Sequence, residues 1–575
     1  MHVDLTAGTT RRLPLDREIR ARELGGRGLA GALLDPYAQL SFDDPEVPVL
    51  LTPGRLAGLD LPGADGVTAA WISPLTGTVS DAGLGGSLGA ALARCGLAAV
   101  VLTGRAAAPL GLVVDGSGEA LSDAGALAGL PTDTLRARLG EAGGASMVIG
   151  PAALAGSPLA VAVTEAGCGG RGGLGLALAV KNCLFVTAKG AGTIPVADAG
   201  GLARAREALV RLTDASPALG PFGLGRYGSA ALCDLTAGRR MMPTNNFRAT
   251  FFPQAQGVNA PRVDALCQAR TGDACPGCPV RCHRLTAAGE PMPEAEALSH
   301  FTALLGVADA ALAVAANAAC VRLGLDPVSM AATLAAFAEI SGEALDAKRV
   351  LARIAAMGSM TGPGSELGRG AAAYAAQAGR PETAMCVKGL ELPAFDPRGA
   401  YGLALAYAVG TGGPDACRAG CLSHELLRKP VATDRFTFEG KARAVFGGEN
   451  AMAALASLGV CPWLALATSL EEWGQALAAV TGEATSAGTL ARIGERIVFR
   501  ERLQNARRGI AAAQDDLPAR FFAEPGTSGE GIVVPPLSRS DFLAARERYY
   551  RLRGLSPDGL PTPQRAEALE LPWTR

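Results

Sequence analysis

Along the first third of the chain, apolar and β-branched residues come in short runs cut by Gly, Pro and Asp, at 47–51, 98–103, 110–114, 147–149, 159–164 and 183–186. Runs of that length between turn residues predict strands. After about residue 205 the pattern changes. Apolar positions then recur with a helical period over 202–213, 294–323, 327–341, 346–357, 367–376 and 440–458. The stretch 495–512 is dense in Arg and Glu and predicts a solvated helical face. Beyond Asp516 the chain is rich in Pro, Gly and Ser, which predicts a segment wrapped on the surface. The expected class is α+β: an N-terminal β-sheet domain over 1–205 that carries a ligand, then two mostly α-helical domains over 206–395 and 396–575 that cover it.

Composition narrows the function. A chain of 575 residues is too long for one core. Its net charge of −1 leaves no electrostatic footprint for nucleic acid or an anionic membrane. Residues 451–469 are long and uncharged, but Gly459 and Pro462 predict a buried helix pair with a turn rather than a membrane span. The start shows no basic region followed by an apolar run. Together with 13 cysteines, an odd number, that predicts a reducing cytoplasm and thiols that are free or bound to metal.

The chemistry centres on Cys275, Cys278 and Cys282, spaced C-x₂-C-x₃-C with Gly277 and two prolines bending the backbone. Three clustered thiols need a fourth ligand, and Cys461 is the candidate. Four thiolates suit an iron–sulfur cube. Zinc is the alternative, although the one further close pair, Cys417 with Cys421, would leave Cys282 over. Two segments also repeat a tetrapeptide, Gly25-Gly26-Arg27-Gly28 and Gly169-Gly170-Arg171-Gly172. Glycine N–H groups with an arginine fork suit phosphate, and two copies suit two phosphorylated groups. Residues 73–78, Ser-Pro-Leu-Thr-Gly-Thr, extend the same small-residue surface.

In order and spacing these motifs, with Lys181-Asn182, residues 322–329, 387–398 and 402–408, and Gly459-Val460-Cys461, resemble the aldehyde ferredoxin oxidoreductase family over nearly the whole chain. The resemblance implies a tungsten (or molybdenum) bis-pterin cofactor on the β domain, with Mg²⁺ bridging the pterin phosphates. It also implies a 4Fe–4S cluster on Cys275, Cys278, Cys282 and Cys461. Cofactor contacts carried over are Gly26, Arg27, Gly28, Ser73, Thr76, Gly77, Arg171, Gly172, Gly173, Lys181, Asn182, Gly324, Leu325, Asp326, Lys388, Asp396, Arg398, Gly459 and Val460. The paired turns at Gly324-Leu325-Asp326 and Gly459-Val460-Cys461 would each border one pterin. Glu296, with Glu294 and His300 near it, is the implied acid–base group.

The implied activity is oxidation of an aldehyde to a carboxylic acid, with electrons passed to ferredoxin or an iron–sulfur subunit. A homo-oligomer is compatible with it. Departures from the family pattern are Ala416, where a His is usual, with Ile72, Val321, Ala456 and Ala179-Val180 in place of polar or small family residues. They leave two rivals: a divergent member acting on another carbonyl or an acyl thioester, and a non-catalytic electron-transfer or scaffold subunit.

Overall fold

The structure is a computed structural model that describes residues 1–141, 143–270, 275–428, 431–527 and 532–573. The N-terminal part holds two six-stranded mixed sheets. In the first, the strands run in the spatial order Thr9–Arg11, His2–Asp4, Val100–Thr103, Val49–Pro53, Val67–Ile72, Val79–Leu84. In the second the order is Gly167–Gly169, Ala162–Thr164, Ala145–Ile149, Cys183–Lys189, Leu110–Asp115, Glu119–Asp123. Each sheet has one parallel pair, His2–Asp4 with Val100–Thr103 and Leu110–Asp115 with Cys183–Lys189; the other ladders are antiparallel. A single apolar core joins the two sheets, with Leu51, Trp71, Leu112, Val148 and Val186 all fully buried. Burial on both faces explains why Val49–Pro53 and Val67–Ile72 show no alternation of apolar and polar residues.

From Ala199 onward the chain is mostly helical, as the pattern predicts. The α+β reading therefore holds. Three local expectations do not. The continuous helix over 294–323 is broken into Ala295–Ser299, a π-turn at His300–Leu304, and Ala310–Leu323. Gly306 at φ +72° ends the first piece, and Asp309 caps the second through the N–H groups of Ala311 and Leu312.

The charged face over 495–512 is not solvated. In Ala487–Arg507 the side chains of Arg496, Arg500, Glu501 and Arg502 are buried, and the last three are paired with carboxylates or guanidinium groups from distant segments. Beyond Asp516 the chain is not merely a surface wrap. The helix Arg539–Arg553 sinks Phe542, Tyr549, Tyr550 and Arg553 into the helical core. Among the described residues no helix is long and apolar enough to cross a membrane.

Candidate functional site

Two long helices end in the same way, and each delivers a turn to a different sheet. Ala310–Leu323 stops at Gly324, and Lys441–Leu458 stops at Gly459, both glycines in the left-handed region that closes a helix. The first turn docks on the second sheet: Val161 N–H donates to Gly324 O (2.9 Å) and Asp326 N–H to Leu159 O (3.0 Å). The second turn docks on the loop after Val49–Pro53. There Arg55 N–H donates to Ser457 O (3.0 Å), Leu56 N–H to Leu458 O (3.1 Å), Gly66 N–H to Gly459 O (3.1 Å) and Cys461 N–H to Gly63 O (2.8 Å). Glycine is required at this contact. A Cβ on Gly54 would lie 2.1 Å from the Gly459 Cα.

Each Gly-Gly-Arg-Gly segment sits against one of these turns. Gly28 N–H donates to Ser457 Oγ (3.0 Å), and a Cβ on Gly26 would meet Ala456 O at 2.3 Å. In the second copy Arg171 Nε donates to Asp326 Oδ2 (2.8 Å), while Ser73 Oγ and Trp71 Nε1 both donate to Gly172 O. Gly173 packs on Pro74. Both arginine forks are already occupied. Arg27 donates twice to the Glu501 carboxylate, each at 2.7 Å, and stands 3.5 Å from Asp81. Arg171 adds a bond to Glu391 O at 3.0 Å.

The four cysteines come together. Cys275, Cys278, Cys282 and Cys461 all line one cavity of about 420 Å³. Burial pushes the Cys461 thiol up to about 12 and the Cys275 thiol up to about 11, and neighbouring thiols of the set add to both shifts. Cys282 is raised by burial and then by Cys461, ahead of Cys278 and Cys275. With Cys275, Cys282 and Cys461 all held protonated by burial, a cationic group is needed to hold them as thiolates.

Glycine leaves the room: a Cβ on Gly85 would lie 3.6 Å from Cys275 Sγ, and one on Gly63 would lie 3.5 Å from Cys461 Cβ. Among the described residues no group of three or more His, Cys, Asp or Glu side chains is spaced for a single metal ion. The donor set and its cradle fit an iron–sulfur cluster. Gly83, Gly86, Gly169, Gly170, Gly412 and Gly413 add stretches of bare backbone to the wall, suited to a flat, phosphorylated group, beside side chains such as Asp81, Arg171, Arg418 and Met452.

A second cavity of about 670 Å³ adjoins the first, sharing Cys168, Arg171, Cys282, His283 and Glu294 as common wall. Asp326 lines the second, and Gly459 and Val460 line the first, so each docked turn borders its own chamber. Glu296 lines the second. Burial pushes its carboxyl up to about 7, with Asp415, Glu294 and Asp326 adding to the shift and Arg171 opposing it. Asp326 is already engaged, accepting from Val328 and Ser329 N–H at a helix start as well as from Arg171.

Other expected site residues lie elsewhere. His300 is fully buried, its Nε2 3.0 Å from Leu392 O, and does not line either cavity. Lys181 Nζ donates to Pro45 O and Gly104 O, and Asn182 Nδ2 to Ala106 O, at the loops that lead into Val49–Pro53 and out of Val100–Thr103. Thr76 and Gly77 close the turn that carries Ser73. Lys388 pairs with Asp515 at 2.7 Å. Arg398 is a buried lock: it pairs with Asp396 and donates to Phe247 O, Glu524 O and Pro525 O. Leu325 is buried in a bridge to Ala160.

Sequence reasoning missed Asp81, Asp415 and Arg418, which line the first cavity together with Cys417. Arg418 Nη1 donates to Asp81 Oδ1 at 2.8 Å, and Asp81 also faces Arg27. For Asp415, Cys417 and Arg418 the signal available was the run Gly412-Gly413-Pro414 just before them.

Two sheets that each receive a helix-terminal turn, around two adjoining chambers of which the first is lined by four thiols, define a redox cofactor-binding protein. The comparisons narrow the class. Residues 1–190 match the N-terminal domain of aldehyde ferredoxin oxidoreductase, and residues 204–571 match its domains 2 & 3. The chain belongs to the aldehyde ferredoxin oxidoreductase family and is an oxidoreductase of that family.

Relatives include the tungsten-containing aldehyde ferredoxin oxidoreductase of Pyrococcus furiosus, 30% identical over 99% of this chain and 98% of that one. The protein of the same description from Thermococcus kodakarensis has the same identity and coverage. Among solved structures, the active site complex of a benzoyl coenzyme A reductase bound to 1,5 dienoyl-CoA superposes with a TM-score of 0.85. It covers 99% of this chain and 96% of its own at 18% identity, a likeness of fold.

Proposed function

We propose that the protein is a tungsten- (or molybdenum-) pterin oxidoreductase that oxidises an aldehyde to a carboxylic acid and passes the electrons to ferredoxin or an iron–sulfur partner in the cytoplasm. One observation carries the reading: Cys461 meets the Cys275–Cys282 trio at one glycine-walled cavity. In this reading Cys275, Cys278, Cys282 and Cys461 hold a 4Fe–4S cluster. Gly459 and Val460 would border one pterin and Arg171 and Asp326 the other, with Mg²⁺ as the expected counter-ion of the pterin phosphates.

When bound, the metal–pterin group supplies the two-electron acceptor and the cluster a one-electron exit. The chain's own residues do the rest. Glu296, raised to about 7, is poised to take a proton at neutral pH. Arg171, fixed by Asp326 and Glu391 O, holds positive charge at the junction of the chambers and keeps Glu296 from rising further.

Metal analysis of anaerobically purified protein tests the reading. Tungsten or molybdenum with about four irons per chain supports it. Iron alone supports the scaffold reading, and zinc alone overturns both.

A further inference from the structure

Given the function proposed above, on which this assignment rests, each aldehyde gives up two electrons, and they leave the cluster one at a time. An oxidised iron–sulfur protein that takes them must come close to Cys275, Cys278 and Cys282. That loop lies at the surface: Pro276, Gly277 and Arg281 are exposed, and the three cysteines are only partly buried.

The loop is tied to two short helices, Leu224–Tyr227 and Ala260–Asp264, which also pack on each other. Arg284, two residues past Cys282, makes the tie. Its Nη2 donates to Gly225 O at 3.3 Å and to Arg226 O, and its Nη1 stands 3.6 Å from Asp264 Oδ1. Arg226 Nη1 reaches the other oxygen of the same carboxylate at 2.8 Å. Gly228 allows the approach, since a Cβ there would meet Cys282 O at 2.8 Å.

Residues 220–228, 259–267 and 275–284 together carry four arginines and one carboxylate, Asp264. Asp264 holds Arg226 and Arg284, so Arg262 and Arg281 are left over. Both are exposed, and neither side chain has a hydrogen-bond or ion-pair partner among the described residues. Arg281 directly precedes Cys282 and sits in the left-handed region at φ +49°, a costly place for a side chain of its size. Two carboxylates adjoining these segments are engaged: Asp234 accepts Ala260 N–H at 3.1 Å, and Glu294 stands 3.9 Å from His283 Nδ1.

The same segments expose apolar surface. Phe222, two residues before the first helix, is 85% exposed, more than any other large apolar side chain described, and Leu266 is 38% exposed. An exposed aromatic ring with unpaired arginines is the composition of a contact surface.

We propose that these three segments form the docking face for an acidic iron–sulfur protein, with Arg262 and Arg281 meeting its carboxylates and Phe222 giving the apolar contact. Two unpaired cations without an unpaired carboxylate on the face attract an acidic partner and repel a basic one. Each docking moves one electron: the cluster on the four cysteines is oxidised by one and the partner's cluster is reduced by one. Two dockings clear the electrons of one aldehyde.

The test uses the full chain with its cofactors and an acidic bacterial ferredoxin as the probe. Calorimetry gives the Kd for oxidised ferredoxin, and stopped-flow absorbance gives the rate at which reduced ferredoxin reduces the protein's cluster. Neither readout needs an aldehyde. In Arg262→Glu, Arg281→Glu and Phe222→Ala the Kd should rise by on the order of tenfold each, with slower cluster reduction. Added salt should weaken binding of the wild type more than that of the two charge variants. Iron content and the rate with a small viologen dye should stay at wild-type values in Arg262→Glu and Phe222→Ala.

If Arg281→Glu loses iron, because it adjoins a cluster ligand, the other two variants decide. An unchanged Kd in Arg262→Glu and Phe222→Ala overturns the docking face. So does an iron-replete wild type that fails to bind ferredoxin, or that binds a basic cytochrome c as tightly. A wild type that exchanges electrons with ferredoxin through this face yet oxidises no aldehyde counts against the proposed substrate and leaves the docking face standing.

Discussion

Replacing Gly54 with Ala tests how the fold builds the site. The new Cβ would lie 2.1 Å from Gly459 Cα and 2.2 Å from Gly459 N, and backbone atoms cannot swing aside as a side chain would. If the turn stays docked, overpacking costs about 1–3 kcal/mol. If it lifts, the hydrogen bonds from Arg55, Leu56, Gly66 and Cys461 are lost. At about 1 kcal/mol each those four amount to about 4 kcal/mol. In either case Gly459 must shift to clear the new Cβ, and Cys461, two residues on, shifts with it relative to the trio.

We expect Gly54→Ala to lose about 1–4 kcal/mol in denaturant unfolding. Its bound iron should fall well below that of the wild type. Gly447→Ala, in the helix that carries the same turn, is the control, because a Cβ there meets nothing within 4 Å. It should keep its iron and gain about 0.5–1 kcal/mol. Full iron and unchanged stability in Gly54→Ala would refute the claim that this glycine contact seats the cluster ligand.

Other outcomes follow from the same coordinates. Glu296→Gln should lower kcat by about 10²–10⁴-fold with metal content intact, checked by steady-state kinetics beside elemental analysis. Arg398→Met leaves the Asp396 carboxylate buried and unpaired, and should destabilise the fold by about 3–5 kcal/mol in denaturant titration while purified protein keeps its cofactors. Burial lowers His300 to about 4. Between about 6.5 and 4 the unfolded chain therefore binds more protons at this residue than the folded one, and stability falls as the pH drops through that window. The unfolding free energy of His300→Gln should fall less steeply there than that of the wild type.

The sequence made some of this visible and hid the rest for identifiable reasons. Strands such as Leu110–Asp115 and Cys183–Lys189 announced themselves as apolar runs between turns. Val67–Ile72 did not, because it is buried on both faces and spends Thr and Ala on a tight core. The break before Ala310–Leu323 was signalled by Gly306 and Asp309, but the apolar period continues across it. Arg500 and Glu501 read as surface charges because their partners, Glu23 and Arg27, lie far away in the chain.

At the site, Cys275, Cys278 and Cys282 were legible through spacing, since ligands to one object recur at short intervals, whereas remote Cys461 entered as the missing fourth thiol and through the family resemblance. Arg27 and Arg171 were legible as a repeat, but not the carboxylates that fill their forks. Asp81 has no local pattern at all, and Asp415 and Arg418 only the Gly412-Gly413-Pro414 run before them; the folded cavity is what collects the three.

The central claim is that Cys461 shares one inorganic cluster with Cys275, Cys278 and Cys282. Anomalous diffraction at the iron absorption edge, from crystals of anaerobically purified protein, tests it most directly. The account predicts one compact iron peak in the first cavity, bonded to all four sulfurs. An iron peak that leaves Cys461 unbound, or a zinc signal in its place, would contradict it.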